Sequence, residues 1–324
     1  MNTGSMRRCA AIVGVSLLAA NAAVAQEFPQ RPVRMVVPFA PGGGTDVTAR
    51  LVAGRLSERI GQPVLVDNRP ANSGIVGAEI VARAVPDGHT LLVASVTFAI
   101  STALQKNLPY DGLLDFAPVT MLISAPMGLL VHPSAPAKTT AEFIAWAKRE
   151  PGRLNYGSSG AGSIAHLATE HFSAMAGIRM THVPYKGVAA FTAAQLGNEI
   201  QLGMGNLFST QSLWKSGRLR LIAHTGARRL DALPDVPTVA ESGLPGFEAA
   251  IWYGFLAPGR TPATRVARLQ REIAAIARAP DVQSQLVAQG NDVVASTPAD
   301  FSRSMREEVR RWGELGRTLG VRLD

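Results

Sequence analysis

Cysteine is almost absent from this chain of 324 residues, whose one cysteine is Cys9 near the N-terminus. We expect that residue to be removed with an export signal, so the mature protein is predicted to contain no disulfide, no thiolate metal site and no cysteine nucleophile. A chain of this size without disulfides must owe its stability to a hydrophobic core. Long apolar runs are also missing: after the first 25 residues none reaches the roughly 20 residues that a membrane-spanning helix needs.

Aromatic residues make up only 6% of the chain, and its arginines are spread along the sequence rather than clustered with aromatic side chains. This pattern argues against a nucleic-acid-binding surface, so we predict no nucleic-acid partner. The net charge of +8 at pH 7 then has two interpretations, which are solubility and the attraction of anionic ligands.

The first residues have the pattern of an export signal. Arg7 and Arg8 precede an apolar run over residues 9–20, which is followed by the small residues Ala23 and Ala25 at the spacing that signal peptidase requires. We therefore predict a signal peptide over residues 1–25, cleaved near Ala25/Gln26, and a periplasmic location. The apolar run is too short for a membrane anchor, which is the competing interpretation.

Short β-branched runs alternate with amphipathic helical stretches along the rest of the chain, which predicts the α/β class. One pattern occurs twice: a strand, a glycine-rich loop and a capped helix. The first copy has a strand at 33–39, a loop at 41–44 and a helix capped by Thr45 or Asp46 that ends at Gly61. The second has a strand at 154–156, a loop at 157–162 and a helix capped by Ser163 that ends at Gly177. Further strands are predicted at 64–67, 91–95, 129–131, 180–183, 200–204, 219–223 and 252–256, and further helices at 76–84, at 140–149 and, as two or three helices, at the end of the chain.

Each glycine-rich loop leads into a helix N-terminus, where unpaired N–H groups and a partial positive charge favour an anion. The hydroxyl groups of Thr45, Ser158, Ser159 and Ser163 add donors to these loops. Two lobes that each present such a loop form the plan of a cleft-type binding protein. The alternative is that both loops are tight turns with ordinary helix caps.

Sequence patterns for catalysis are incomplete. Gly160 and Gly162 match part of a dinucleotide-binding fingerprint, but no acidic residue follows near position 181. His166 and His171 do not have the spacing of a zinc helix. We therefore predict no cofactor, no metal site and no enzymatic activity. The rival hypothesis is a secreted hydrolase that uses Ser159 or His166.

Several single residues have two interpretations. Asp46 is favoured as a helix cap over a ligand contact, because its carboxylate would repel an anion. His166 is favoured as a core or surface histidine, and Tyr253 as packing at a domain junction. Phe39 and Phe98 follow predicted strands, so each could either cover a ligand or pack in the core.

The chain resembles, from Phe28 onward, the extracytoplasmic solute receptors of tripartite tricarboxylate transporters, also called the Bug family. The segments that carry the resemblance are residues 31–33 and 37–46, 66–70, 86–92, 108–111, 155–160, 183–187, 233–241 and 252–254. Their order along the chain agrees with the family as well.

The resemblance implies a type II periplasmic-binding-protein fold, with one domain from residues 26–125 and 251–324 and a second from 126–250. It implies capture of a small carboxylate (a di- or tricarboxylate or an aromatic acid) between the lobes, delivery to membrane permease subunits, and a monomer. A receptor that acts in sensing without a permease is the alternative. The predicted ligand-binding residues are Phe39, Gly42, Gly43, Gly44, Thr45, Asp46, Ser73, Ser95, Thr97, Ser158, Ser159, Gly160, Gly162, Ser163, His166, Tyr185 and Asn206.

Two positions depart from the family pattern. Gly205 stands where an aspartate commonly precedes Asn206, which could disfavour ligands that carry an amine. Phe98 stands where histidine is frequent, which could favour a flat or apolar ligand body.

Overall fold

The computed structural model describes residues 28–321 and 323, so the predicted signal peptide and its cleavage site lie outside the described residues. Within that part of the chain no helix combines the length and the apolar character needed to cross a membrane.

Strands and helices alternate along most of the chain, which confirms the α/β class. The first section contains β1 (Val33–Val37), α1 (Gly44–Ile60), β2 (Val64–Asn68), a 3-10 turn (Asn72–Gly74), α2 (Ile75–Ala82), β3 (Thr90–Ser95) and α3 (Val96–Leu104). The middle section contains β4 (Phe116–Val131), α4 (Thr140–Arg149), β5 (Asn155–Ser158), α5 (Ile164–Ala176), β6 (Thr181–Pro184), α6 (Val188–Leu196), β7 (Leu202–Asn206), α7 (Leu207–Lys215) and β8 (Arg220–His224). The last section contains β9 (Ala250–Pro258), α8 (Ala263–Ala277), α9 (Pro280–Ala288), β10 (Asp292–Val293) and α10 (Pro298–Leu319).

The long strand β4 joins two halves of the sheet, whose strand order is β2-β1-β3-β9-β4-β7-β5-β6. From Phe116 to Pro126 it pairs with β9, and from Met127 to Val131 it pairs with β7 and β8. We call the part of the molecule built on β1–β3, β9 and β10 lobe 1, and the part built on β5–β8 lobe 2. The change of partner lies beside the predicted domain boundary, and the division into two domains stays a prediction.

The two largest apolar cores among the described residues hold these layers together. One lies in lobe 1, where α1 and α8 cover the sheet through side chains such as Val52, Phe255 and Ile273. The other extends from lobe 1 into lobe 2 and includes Phe172 and Trp312. Helix α10 contributes to it because its buried residues (Phe301, Met305, Trp312 and Gly316) recur at helical spacing and form one apolar face.

The structure corrects one predicted helix start. Helix α1 begins at Gly44 with Gly43 as its N-cap, and no side chain caps it, so the assignment of Thr45 or Asp46 as the cap is wrong. The glycines let the chain enter the helix two to three residues earlier, which places Asp46 inside the first turn. By contrast, Ser163 caps α5 as predicted, since its hydroxyl accepts a hydrogen bond from the His166 N–H.

Three helices were not predicted from the sequence, namely α3, α6 and α7. Each is short and follows a strand or a loop closely. Helix α3 has consequences for the site, because it places Thr97 and Phe98 in a helical first turn and not in a loop after a strand.

Candidate functional site

Strand direction brings most of the predicted ligand-binding residues to two facing edges. Strands β1, β2 and β3 are parallel, so their carboxyl ends present Phe39, Ser73 and Ser95 at one edge of lobe 1. Strands β5, β6 and β7 are also parallel, and their carboxyl ends present the loop at 158–163, Tyr185 and Asn206 in lobe 2. Ligands of α/β proteins commonly bind outside such strand ends.

The two edges touch each other. The Ser73 hydroxyl of lobe 1 donates a hydrogen bond to the carbonyl oxygen of Ala161 in lobe 2 at 3.0 Å. The Asn206 side-chain amide of lobe 2 donates to the Tyr253 hydroxyl of lobe 1 at 3.4 Å. The glycine-rich loop of lobe 2 therefore contacts lobe 1 at Ser73.

The lobe 1 loop approaches Tyr253 so closely that only glycine fits at its end. A Cβ atom on Gly44 would lie 2.1 Å from the Tyr253 hydroxyl oxygen, well inside any real contact. The first N–H groups of α1, on Gly44, Thr45 and Asp46, have no partner within the helix. Their partial positive charge makes this turn suited to an anion.

Asp46 stabilises the lobe 1 loop from behind. Its carboxylate accepts hydrogen bonds from the Gly42 N–H and the Arg50 Nε, both at 3.0 Å, and from the Asn68 side-chain amide at 2.9 Å. Burial acts to raise the pKa of Asp46, but the hydrogen bonds from Arg50, Gly42 and Asn68 outweigh it and hold that pKa below its usual value. Because Arg50 balances the charge, a buried carboxylate can stand next to an anion-binding turn.

The lobe 2 loop is held by a buried serine and a histidine. The Ser158 hydroxyl donates to the Gly160 carbonyl oxygen at 2.9 Å and accepts from the Gly160 N–H at 3.2 Å. It also lies 2.7 Å from His182 Nε2.

His182 belongs to a stack of three rings. Its ring centroid lies 4.0 Å from that of His166, with the planes 9° apart, and 4.9 Å from that of Tyr156. Burial lowers the pKa of His166 to about 4. The pKa of His182 is also lowered to about 4, mainly by burial and to a smaller extent by the neighbouring His166. Both imidazoles are therefore neutral at neutral pH, and His166 Nδ1 accepts a hydrogen bond from the Gly162 N–H at 3.1 Å.

Position 162 requires glycine for two reasons, which are its backbone conformation and its close neighbours. Its φ of +75° lies in the left-handed region, and a Cβ atom there would stand 2.5 Å from a methyl carbon of Leu323. Leu323 thus lies directly against the lobe 2 loop.

The remaining predicted residues differ in accessibility. Thr45, Ser95, Thr97, Ser163 and Asn206 are buried, whereas Phe39, Gly43, Ser159 and Tyr185 are half-buried and Gly42 is exposed. Their contact with a ligand stays a prediction. In the part of the chain that the structure describes, no three His, Cys, Asp or Glu side chains are grouped as metal ligands.

Sequence reasoning did not identify His182 and Tyr110 as candidate site residues, and it assigned Tyr253 only to packing at a domain junction. The Tyr110 side chain lines a small cavity of about 10 Å³ in lobe 1 together with Phe39, Ser73 and Ser95. No local pattern identified these residues, since each reaches the site from a different strand or loop.

Comparisons with known proteins agree with this geometry. A family model described as tripartite tricarboxylate transporter family receptor matches residues 48–321. The Protein BugT of Bordetella pertussis is 34% identical over 324 residues, covering 98% of this chain and 99% of the relative. The structure of an R. palustris protein with adipate is 36% identical with a TM-score of 0.88, covering 91% of this chain and 99% of that chain. The structure of MatC from Rhodopseudomonas palustris with bound malate is 31% identical with a TM-score of 0.83, covering 89% and 99%.

Proposed function

Because this chain belongs to the receptor family of the tripartite tricarboxylate transporters, we propose that it captures a small carboxylate between its two lobes in the periplasm. The predicted two-lobed fold of periplasmic solute-binding proteins is confirmed by its solved relatives. The observation that carries the proposal is that each glycine-rich loop lies at a contact between the lobes: Ala161 of the lobe 2 loop bonds to Ser73, and the lobe 1 loop lies against Tyr253, which bonds to Asn206. Related proteins of the same fold hold adipate and malate.

In this proposal the carboxylate lies between two helix N-termini. The first N–H groups of α1 and α5 and the hydroxyls of Thr45, Ser159 and Ser163 supply the donors. A carboxylate that is transferred from water into the cleft needs hydrogen bonds to its oxygen lone pairs. Several N–H and hydroxyl donors can supply these hydrogen bonds without a buried cation. Asp46, Ser158 and His166 shape the loops and have a positioning role.

Binding without chemistry fits the geometry better than the hydrolase hypothesis does. A serine nucleophile needs a base within hydrogen-bond reach. His166 Nδ1 is already occupied by the Gly162 N–H. The contact between Ser158 and His182 involves a serine with no exposed surface, so a substrate has no access to this pair.

The same proposal covers the partners and the location. We propose that the protein is exported by a signal peptide cleaved near Ala25/Gln26, acts as a monomer, and delivers its ligand to the permease subunits of a tripartite tricarboxylate transporter. Family membership supports each of these points. A receptor that serves sensing alone would bind ligand equally well, and a transport assay in a permease deletion strain distinguishes the two.

The direct test is a thermal-shift and calorimetric screen of residues 26–324 against small carboxylic acids and their amides. A ligand that binds the folded state raises the melting temperature, and the shift grows with the logarithm of the ligand concentration divided by its Kd. We expect acids to stabilise the protein and the matching amides to have no effect. Stabilisation by uncharged compounds alone would contradict the proposal.

A pair of threonines on α1 provides a matched control. Thr45→Val removes a hydroxyl from the first turn, and we expect it to weaken binding by about tenfold, the value of one hydrogen bond to a charged group. Thr48→Val changes an equally buried threonine one turn further along the helix and should leave the affinity unchanged. Equal effects of the two substitutions would remove Thr45 from the site.

A further inference from the structure

Leu323 joins the last described part of the chain to the glycine-rich loop of lobe 2. Its backbone forms a parallel β-bridge with Gln105, the residue that follows α3 in lobe 1. Its side chain is 8% exposed and lies beside Gly162, where a Cβ atom would stand 2.5 Å from one methyl carbon and 3.1 Å from the other. One residue therefore contacts lobe 1 through its backbone and lobe 2 through its side chain.

Helix α10 attaches this part of the chain to lobe 1. Near the start of the helix, the Phe301 ring packs edge-on against Trp252 of β9, with the ring centroids 5.3 Å apart. Near its end, Gly316 lies so close to Leu104 of α3 that a side chain at position 316 would clash. The short connection that follows α10 is therefore held beside α3.

The lobe 2 loop has no large side chain of its own that could pack into a core. Residues 157–163 are glycine, serine and alanine only. Hydrogen bonds hold the loop from within, such as the one that the Gly162 N–H donates to His166 Nδ1 at 3.1 Å. Leu323 supplies an apolar contact that the loop cannot make with a side chain of its own.

A shift of Gly162 would move the donors of the proposed carboxylate site. The next residue, Ser163, caps α5, whose first N–H groups are among those donors. The preceding residue, Ala161, accepts the hydrogen bond from Ser73 of lobe 1. The loop is therefore joined to lobe 1 at two places, through Ser73 and through Leu323.

We propose that Leu323 is a positioning residue of the carboxylate site, because it holds the lobe 2 loop against lobe 1 in the conformation that binds the ligand. The inference rests on the proposed function, since it requires that this loop contacts the carboxylate. The competing interpretation is that Leu323 only stabilises the core, as a buried leucine generally does. The two interpretations differ in how truncation of this side chain affects the loop and the affinity.

Leu323→Ala removes the methyl groups that lie against Gly162 and leaves every residue of the loop unchanged. We expect the Gly162 amide hydrogen to exchange with solvent at least about tenfold faster, as measured by NMR, because local opening of the loop becomes easier. Isothermal titration with malate and adipate, the acids held by related proteins, should show about tenfold weaker binding. The reason is that ordering the loop then opposes binding.

Two further variants separate positioning from stability. Leu269→Ala truncates a leucine of α8 that is 1% exposed and lies in the lobe 1 core, so it destabilises the protein at a place remote from the lobe 2 loop. We expect it to change neither the exchange rate at Gly162 nor the affinity for the two acids. Leu323→Met keeps an apolar side chain of similar volume and should restore both quantities. Urea unfolding checks that all three variants fold.

The outcomes separate the inference from the proposed function. Equal exchange rates at Gly162 in Leu323→Ala and in the natural protein would overturn the inference and leave the carboxylate receptor standing. An unchanged affinity for a bound acid would also overturn it, as would losses in Leu269→Ala as large as those in Leu323→Ala. The proposed function fails if no acid stabilises the natural protein while an uncharged compound does. In that case the exchange rate, which requires no ligand, still shows whether Leu323 holds the loop.

Discussion

Acidification should destabilise this protein through the two stacked imidazoles of its lobe 2 loop. His166 and His182 lie 4.0 Å apart and are both neutral at neutral pH. A proton on either ring would introduce a cation next to the other ring. The Gly162 N–H donates a hydrogen bond to His166 Nδ1. A proton on Nδ1 would turn this acceptor into a donor, so the hydrogen bond would be lost.

The sign and size of the effect follow from the pKa values. Each histidine has a pKa of about 4 in the folded protein and an ordinary value of 6.5, so the unfolded chain binds more protons between those two values. The free energy of unfolding is therefore undiminished above pH 6.5 and falls as the pH is lowered towards 4. Between pH 7.5 and pH 5.0 the loss is about 2 kcal/mol for each histidine.

Urea unfolding followed by tryptophan fluorescence at both pH values would measure this loss. On acidification the free energy of unfolding should fall by about 2 kcal/mol less in the His166→Gln variant than in the natural protein, and the same holds for His182→Gln. His132→Gln, which changes a histidine in a surface turn, is the matched control and should not alter the loss. The reasoning is refuted if the loss in either stack variant equals that of the natural protein.

Two further predictions concern contacts at the cleft. Gly44→Ala places a methyl group against the Tyr253 hydroxyl, and we expect chemical denaturation to show a destabilisation of about 1–3 kcal/mol together with weaker ligand binding. Gly54→Ala in the same helix meets no atom within 4 Å and should instead stabilise by about 0.5–1 kcal/mol. Ser73→Ala removes the hydrogen bond to Ala161, so small-angle scattering should show a larger radius of gyration without ligand, and an unchanged radius would contradict that contact's role in closure.

Local sequence patterns predicted most of the helices and strands, because the formation of these elements depends largely on residues that are close in the sequence. The helix over Thr140–Arg149 follows from its amphipathic spacing. Gly61 and Gly177 end their helices in the left-handed conformation, as predicted. The parallel strands then bring the residues after them to a common edge, so the approximate position of the cleft also follows from the pattern.

Details within the loops could not be predicted in the same way. Aspartate is a residue type that often caps helices. The groups that donate hydrogen bonds to the Asp46 carboxylate nevertheless belong to Gly42, to Arg50 of α1 and to Asn68 of β2. Helix α3 combines β-branched residues with a buried environment, so periodicity alone did not distinguish it from a continuing strand. In both cases tertiary contacts determined the local structure.

Tyr253 illustrates why the site depends on residues that no motif marks. Its ring is buried in the lobe 1 core, and its hydroxyl limits position 44 to glycine while accepting a hydrogen bond from Asn206 of lobe 2. Burial raises the pKa of Tyr253, so its hydroxyl remains neutral. The contact between this hydroxyl and lobe 2 is therefore a hydrogen bond and not an ionic interaction. The same oxygen atom therefore sets the shape of the lobe 1 loop and contacts the opposite lobe. Any change of the loop that moves this oxygen must also change how closely Asn206 can approach, which couples ligand contacts to closure of the cleft.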